Sequence, residues 1–115
     1  MKLLAYNSRT TTEHQYIHDA TLLFGDDIMK WRFICPACGH IASFQDYQNA
    51  EVPLDSIAFS CIGRWLPVRQ SVFMPNGGPC DYAGGSLFAL NPVHIDGHGD
   101  FFELDGYETL THEDK

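Results

Sequence analysis

Cys35-Pro36-Ala37-Cys38-Gly39-His40 is the segment that most limits how this chain can fold, because it brings two sulfurs to one point. A Cys-x2-Cys turn followed by glycine directs both thiolates inward and turns backbone N–H groups toward them. A thiolate needs that arrangement to bind a borderline-soft divalent ion. Cys61 and Cys80 are the only other cysteines in the 115 residues, and four thiolates match one tetrahedral zinc. Cys35, Cys38, Cys61 and Cys80 are therefore the predicted metal ligands, with Zn2+ as the expected ion. Cys61 and Cys80 do not form a second Cys-x2-Cys. Tetrahedral geometry requires only that they converge, and a strand end plus the loop Met74-Pro75-Asn76-Gly77-Gly78-Pro79 can bring them together. Four thiolates also suit a mononuclear iron, but iron sites of that kind are usually built from two compact cysteine turns, so the asymmetric spacing favours zinc.

Charge narrows the partners. The net charge is −8, and it is concentrated at the C-terminal end, where residues 82–115 carry seven carboxylates against Lys115 alone. Nucleic-acid binding depends on Lys/Arg neutralising phosphates, and no basic stripe exists here, so nucleic acid is a disfavoured partner. No stretch approaches the roughly 18 apolar residues of a membrane span, and no membrane partner is expected. Met1-Lys2-Leu3-Leu4-Ala5-Tyr6-Asn7 lacks the apolar run of a signal peptide, which implies a cytoplasmic location. In a reducing cytoplasm four cysteines read as metal ligands before disulfides.

The length fits one domain over 1–115. Thr12 and Gln15 form a capping-box pattern, and Tyr16, Ile17, Ala20, Leu23 and Phe24 recur at three- and four-residue steps before Gly25. A helix is predicted near 12–24, with its body from about 13. In 28–34, Trp31 and Phe33 share one face and Lys30 and Arg32 the other, so a strand is expected to run into the cysteine turn. Ser43 and Asp46 predict a short helix over about 44–50 that ends near Val52-Pro53. Strands are expected at 57–62, delivering Cys61, at 68–73, and at 86–90. Val93-His94-Ile95 and Phe101-Phe102-Glu103-Leu104 are expected to form a hairpin around Asp96-Gly97. From Thr109 the chain is polar enough to fray. The fold class is α+β: a small zinc-ribbon-like domain of short antiparallel strands with an N-terminal helix.

Other groups admit chemistry. His40, two residues past Cys38, could replace Cys61 or Cys80 as a ligand, though a place beside the ligands or at the surface suits its spacing better. Arg64 could hydrogen-bond the metal thiolates or pair with Asp81, and Trp65 could cover the core; alternatively Arg64 and Trp65 together could read a carboxylate or a base. His94, Asp96, His98 and Asp100 would share a face of a continuous strand and could hold a second metal, but Gly97 and Gly99 point to an exposed hairpin tip. A Cys-x2-Cys redox pair needs a helix N-terminus to lower its pKa, and Gly39 interrupts the chain just where that helix would begin. Neither a Walker loop nor a Rossmann fingerprint is present, and Ser86 lacks a nucleophile-elbow pattern. No catalytic set is identified.

Phe24-Gly25-Asp26-Asp27, Trp31-Arg32-Phe33, the Cys35–His40 segment, Phe59-Ser60-Cys61-Ile62-Gly63-Arg64 and Gly78-Pro79-Cys80-Asp81-Tyr82-Ala83-Gly84-Gly85 occur in this order. With Leu87-Phe88 and Leu90-Asn91-Pro92-Val93 they resemble a small bacteriophage and prophage protein family without an assigned activity. The resemblance covers about residues 22–93. It implies that all four cysteines belong to one site and that the protein is an accessory protein of viral or prophage origin.

The resulting expectation is a non-enzymatic, zinc-stabilised accessory or adaptor protein that binds another protein. The first alternative is a nucleic-acid-binding zinc ribbon using Lys30, Arg32, Arg64 and Arg69. The second is a metal-dependent hydrolase using His94 or His98.

Overall fold

The computed structural model describes residues 8–67, 79–85 and 90–110, arranged as two three-stranded sheets and two helices around a shared core. Strand β1 (Arg9–Thr11) leads into helix α1 (Glu13–Phe24). Thr12 Oγ1 accepts the Gln15 N–H at 3.1 Å, which satisfies one of the helix's unpaired amides. The reciprocal half of the predicted capping box does not form, because the Gln15 side chain reaches forward to Asp19 Oδ1 at 2.9 Å. Helix α1 buries Tyr16, Asp19 and Ala20, with Leu23 and Phe24 partly covered. Ile17, predicted on the apolar face, is 44% exposed.

The expected strand over 28–34 is shorter than its alternation suggested. Asp27 Oδ1 accepts the Met29 N–H at 3.1 Å and winds Ile28–Lys30 into a 3-10 turn, so β2 begins only at Arg32 and ends at Ile34. The facing is as predicted, with Trp31 and Phe33 buried and Arg32 exposed. The cysteine turn follows, and β3 (Ile41–Ser43), absent from the sequence expectation, returns antiparallel to β2. Ser43 then caps α2 (Phe44–Asn49) with both halves of a capping box: Ser43 Oγ accepts from Asp46 N at 3.0 Å, and Asp46 Oδ2 accepts from Ser43 N at 2.9 Å.

The expected strand over 57–62 does not form. Ala58 lies at φ +61°, a left-handed conformation that breaks any extended run, and 3-10 turns occupy Leu54–Ser56 and Ile62–Trp65. Ile57, Ala58, Cys61 and Ile62 are all buried, as a strand would have been. A short apolar run reports burial without reporting conformation. The strand expected at 68–73 and most of that at 86–90 lie outside the described residues.

The C-terminal hairpin forms with a shifted second strand. Strand β4 (Val93–Ile95) pairs with β5 (Gly99–Phe101), and Glu103–Leu104 leaves for the other sheet as β6, beside β2. The first sheet has the order β1-β4-β5 and the second β3-β2-β6. Strand β1 runs parallel to β4, so the strands are mixed rather than all antiparallel as expected. Phe102 sits between the sheets. Its N–H donates to the Ala58 carbonyl at 2.7 Å, and its carbonyl accepts the Tyr16 hydroxyl at 2.9 Å. Past β6 the chain stays hydrogen-bonded, with Tyr107–Thr109 a 3-10 turn and Leu110 N–H donating to the Tyr107 carbonyl at 3.0 Å.

A buried ion pair fastens the sheets. The Arg9 guanidinium makes two 2.8 Å bonds to the Glu103 carboxylate, lies 3.9 Å from Asp19 Oδ2 and stacks 3.7 Å from the Tyr107 ring centroid. Burial alone would lower the Arg9 pKa, but the Glu103 carboxylate outweighs it and raises the value. Asp19 is fully buried and Glu103 is 9% exposed, so each depends on this cation. Removing one partner of such a pair strands the other's charge in the interior. Arg9→Met should therefore cost about 3–5 kcal/mol of folding stability in urea titrations, whereas Arg32→Met, at the half-exposed pair with Asp105, should cost about 1 kcal/mol or less.

Candidate metal centre

Three separate segments deliver four sulfurs to one point. The turn between β2 and β3 presents Cys35 and Cys38, with Cys35 N–H bonded to the His40 carbonyl at 3.0 Å and Gly39 N–H to the Cys35 carbonyl at 2.8 Å. Cys61 precedes a 3-10 turn, and Cys80 follows the second segment inward. Cys35 and Cys80 Sγ are 3.9 Å apart, as are Cys38 and Cys61 Sγ, and all four lie within 4.8 Å of one another. A tetrahedron of sulfurs at roughly 2.3 Å from a shared ion has edges of about 3.8 Å. The four residues can hold one metal ion. Their separations are far beyond the roughly 2.0 Å of a disulfide.

The second pair of ligands lacks a Cys-x2-Cys turn, and two glycines take its place. A side chain on Gly63 would put its Cβ 2.1 Å from the Cys80 carbonyl oxygen, and one on Gly84 would lie 2.1 Å from the Phe59 carbonyl oxygen. Only hydrogen at both positions lets residues 59–63 lie directly against 80–84. The contact is then tied by Cys61 N–H to the Tyr82 carbonyl at 3.0 Å and Gly84 N–H to Ser60 Oγ at 2.9 Å. Gly63 is thus the point at which the Cys80 backbone itself approaches.

Backbone amides face the sulfurs as thiolate chemistry requires. His40 N–H points to Cys38 Sγ, Cys80 N–H to Cys61 Sγ and Tyr82 N–H to Cys80 Sγ, each at 3.4 Å. Cys35 and Cys61 are 1% exposed, Cys38 is 7% and Cys80 is fully buried. The Cys61 thiol is held well below its ordinary value, first by the hydrogen bond with Cys35 and then by those with Cys38 and Cys80. Cys35 is pushed up, first by its bond with Cys38 and then by those with Cys61 and Cys80. Sulfurs this close share protons among themselves, and a divalent cation is what allows all four to ionise together.

The remaining candidates take other positions. His40 serves Cys38 through its backbone and lines an adjacent cavity of about 400 Å³ with Asp46 and Ile62. Arg64 Nη1 bonds the Asp81 backbone carbonyl at 3.3 Å, and its guanidinium lies 5.7 Å from the Trp65 ring centroid. Trp65 is partly buried against the core. His94 is shared between two carboxylates, with Nδ1 2.7 Å from Asp100 and Nε2 3.8 Å from Asp96. His98 instead contacts Glu13 at 3.1 Å, so the two histidines do not converge. Of the cations proposed for nucleic acid, Arg32 is bonded to Asp105 at 3.1 Å, and Arg69 lies outside the described residues. The cysteines are the only metal-ligating cluster among the described residues.

The structure also contains residues that the sequence reading passed over. Asp19 stands on the buried face of α1 between Tyr16 and Ala20, and a carboxylate in that register signals a buried cationic partner, here Arg9. Asn91 bridges the turn at Phe59 and strand β5, its Nδ2 donating to the Phe59 and Asp100 carbonyls at 3.1 Å each; nothing local in the sequence announces that role.

The class defined by these features is a small α+β protein organised around four clustered cysteines. The chain matches the VVA0879-like family over residues 12–104, which includes every cysteine, and it belongs to that family. No curated protein and no solved structure matches it. No described helix is long and apolar enough to cross a membrane.

If the Gly63 approach builds the second half of the site, Gly63→Ala should cost about 3 kcal/mol of stability and lower the metal content, although it touches no ligand side chain. Thermal melts paired with metal analysis of the purified variant would measure both. Unchanged metal content would show that the Cys80 backbone can move away without loss of the cluster.

Proposed function

We propose that the protein is a non-enzymatic, zinc-stabilised accessory protein that binds another protein, with a zinc-ribbon-like centre formed by Cys35, Cys38, Cys61 and Cys80. The observation that carries this reading is the closure of the cluster. Four buried sulfurs at tetrahedral spacing leave a bound ion no coordination position for water or substrate. Such a centre holds structure and does no chemistry of its own. Zinc is favoured because it takes four thiolates in tetrahedral geometry without redox change. A reducing cytoplasm suits four thiols spaced for coordination, and the excess of carboxylates suits a basic partner surface. A phage or prophage origin agrees with the sequence blocks around the cysteines.

A structural zinc site contributes an apparent ~10–16 kcal/mol in small peptides, about as much as the whole net stability of an ordinary domain at ~5–15 kcal/mol. Protein prepared without added metal should therefore carry close to one zinc per chain. Cys35→Ser or Cys80→Ser should lower the melting temperature more than His40→Ala, His94→Ala or His98→Ala. A folded, metal-free Cys35→Ser/Cys80→Ser variant with an unchanged melt would refute the structural role. Because protons compete for thiolates, zinc retention should weaken as pH falls below neutral. Pull-down from cells should recover a protein that survives nuclease treatment. Recovery only of nucleic acid that leaves as salt rises would favour recognition through the basic residues, and metal-dependent turnover would refute the non-enzymatic assignment.

A further inference from the structure

We propose that an apolar groove between α1, the 28–30 turn and the 54–58 segment is where a partner protein docks, through a segment carrying a bulky apolar side chain flanked by lysine or arginine. The inference rests on the protein-binding reading above and gives it a surface. The groove is a cavity of about 250 Å³ with Trp31, Ile57 and Phe101 among its walls. Its rim holds three of the molecule's exposed large apolar side chains: Ile17 at 44%, Ile28 at 41% and Leu54 at 74%. Single exposed leucines are ordinary, but three converging from separate segments on one apolar hollow mark a contact surface. The volume falls below the roughly 300–1,000 Å³ of sites for drug-sized ligands and suits one or two side chains of a peptide.

Charge selects the occupant. Glu13 lines the groove, exposed Asp26 and Asp27 precede Ile28, and exposed Asp55 follows Leu54. His98 is the basic residue among the lining side chains, and it already contacts Glu13; exposed His14, His18 and Lys30 are chain neighbours of lining residues, as Asp27 and Asp55 are. A second copy of this chain would bring the same carboxylates and the same net charge of −8 against that rim, and like charges facing each other are costly. A segment with basic residues around an apolar anchor complements both the hollow and its edge.

The test pans a displayed library of random linear peptides against the full chain with its metal bound, then measures synthetic versions of the enriched sequences by fluorescence anisotropy. The enriched sequences should pair a bulky apolar residue with neighbouring Lys or Arg, and their binding should weaken with salt. Leu54→Asp and Ile17→Asp should each reduce affinity about tenfold or more. Leu22→Asp, at a helix position 59% exposed and away from the groove, should leave affinity unchanged. Both groove positions are open to solvent, so circular dichroism and metal content should match the parent. The proposal is overturned by absence of enrichment, by enrichment of acidic sequences, or by binding that ignores both groove substitutions. It is also overturned by a dimer that Leu54→Asp dissolves, which would seat a second copy there, or by a gain in peptide affinity on Leu4→Asp, which would seat the chain's own first residues. None of these results touches the adaptor reading, which fails instead if the cellular partner is nucleic acid or if turnover is found.

Discussion

Four sulfurs held within 4.8 Å of one another repel as thiolates and become a fastening only around a shared cation. The rest of the architecture follows from where that point lies. The β2–β3 turn supplies half of it, so one sheet is anchored at its end. The other half comes from segments without regular structure, Cys61 and Cys80, whose conformations are set by contact with each other. Residues 59–63 and 80–84 have glycines where their backbones touch and hydrogen bonds where they separate, so this part of the fold relies on close approach in place of a strand ladder.

Away from the sulfurs, the second organising element is electrostatic. Arg9 enters from the first strand, Asp19 from the helix, and Glu103 from the last strand, and they meet where water is mostly excluded. Hydrophobic burial does not specify register among strands only two or three residues long. A forked pair of 2.8 Å bonds does, because a one-residue slip would aim Glu103 at the opposite face. The cysteine cluster and the ion pair therefore determine complementary things: which segments converge, and in what register they stop.

The sequence was most readable where chemistry is local. Both helices were legible from capping residues and apolar spacing, and Cys35 and Cys38 from their turn. The clustering of Cys61 and Cys80 with them was legible from cysteine arithmetic, although the expected delivery by a strand was wrong. What escaped were features set by distant contacts. The Ala58 bend is compensated by a hydrogen bond from Phe102, and β6 lies in a different sheet from β5 although Phe102 alone separates them. Alternation along Phe101–Leu104 cannot reveal that change of sheet, since each short piece keeps a plausible pattern by itself. Strand β1 was missed because three polar-looking residues pair in parallel with a partner more than eighty positions away.

The passage through Phe102 has a mechanical meaning. Strands β5 and β6 are a single tether whose two ends are each stitched into a different sheet, while the residue between them is held by both the helix and the Ala58 bend. Loosening one sheet pulls on the other through one residue, with no slack loop to absorb the displacement. The two described sheets are therefore coupled through Phe102, and a disturbance at either end of the tether reaches the other.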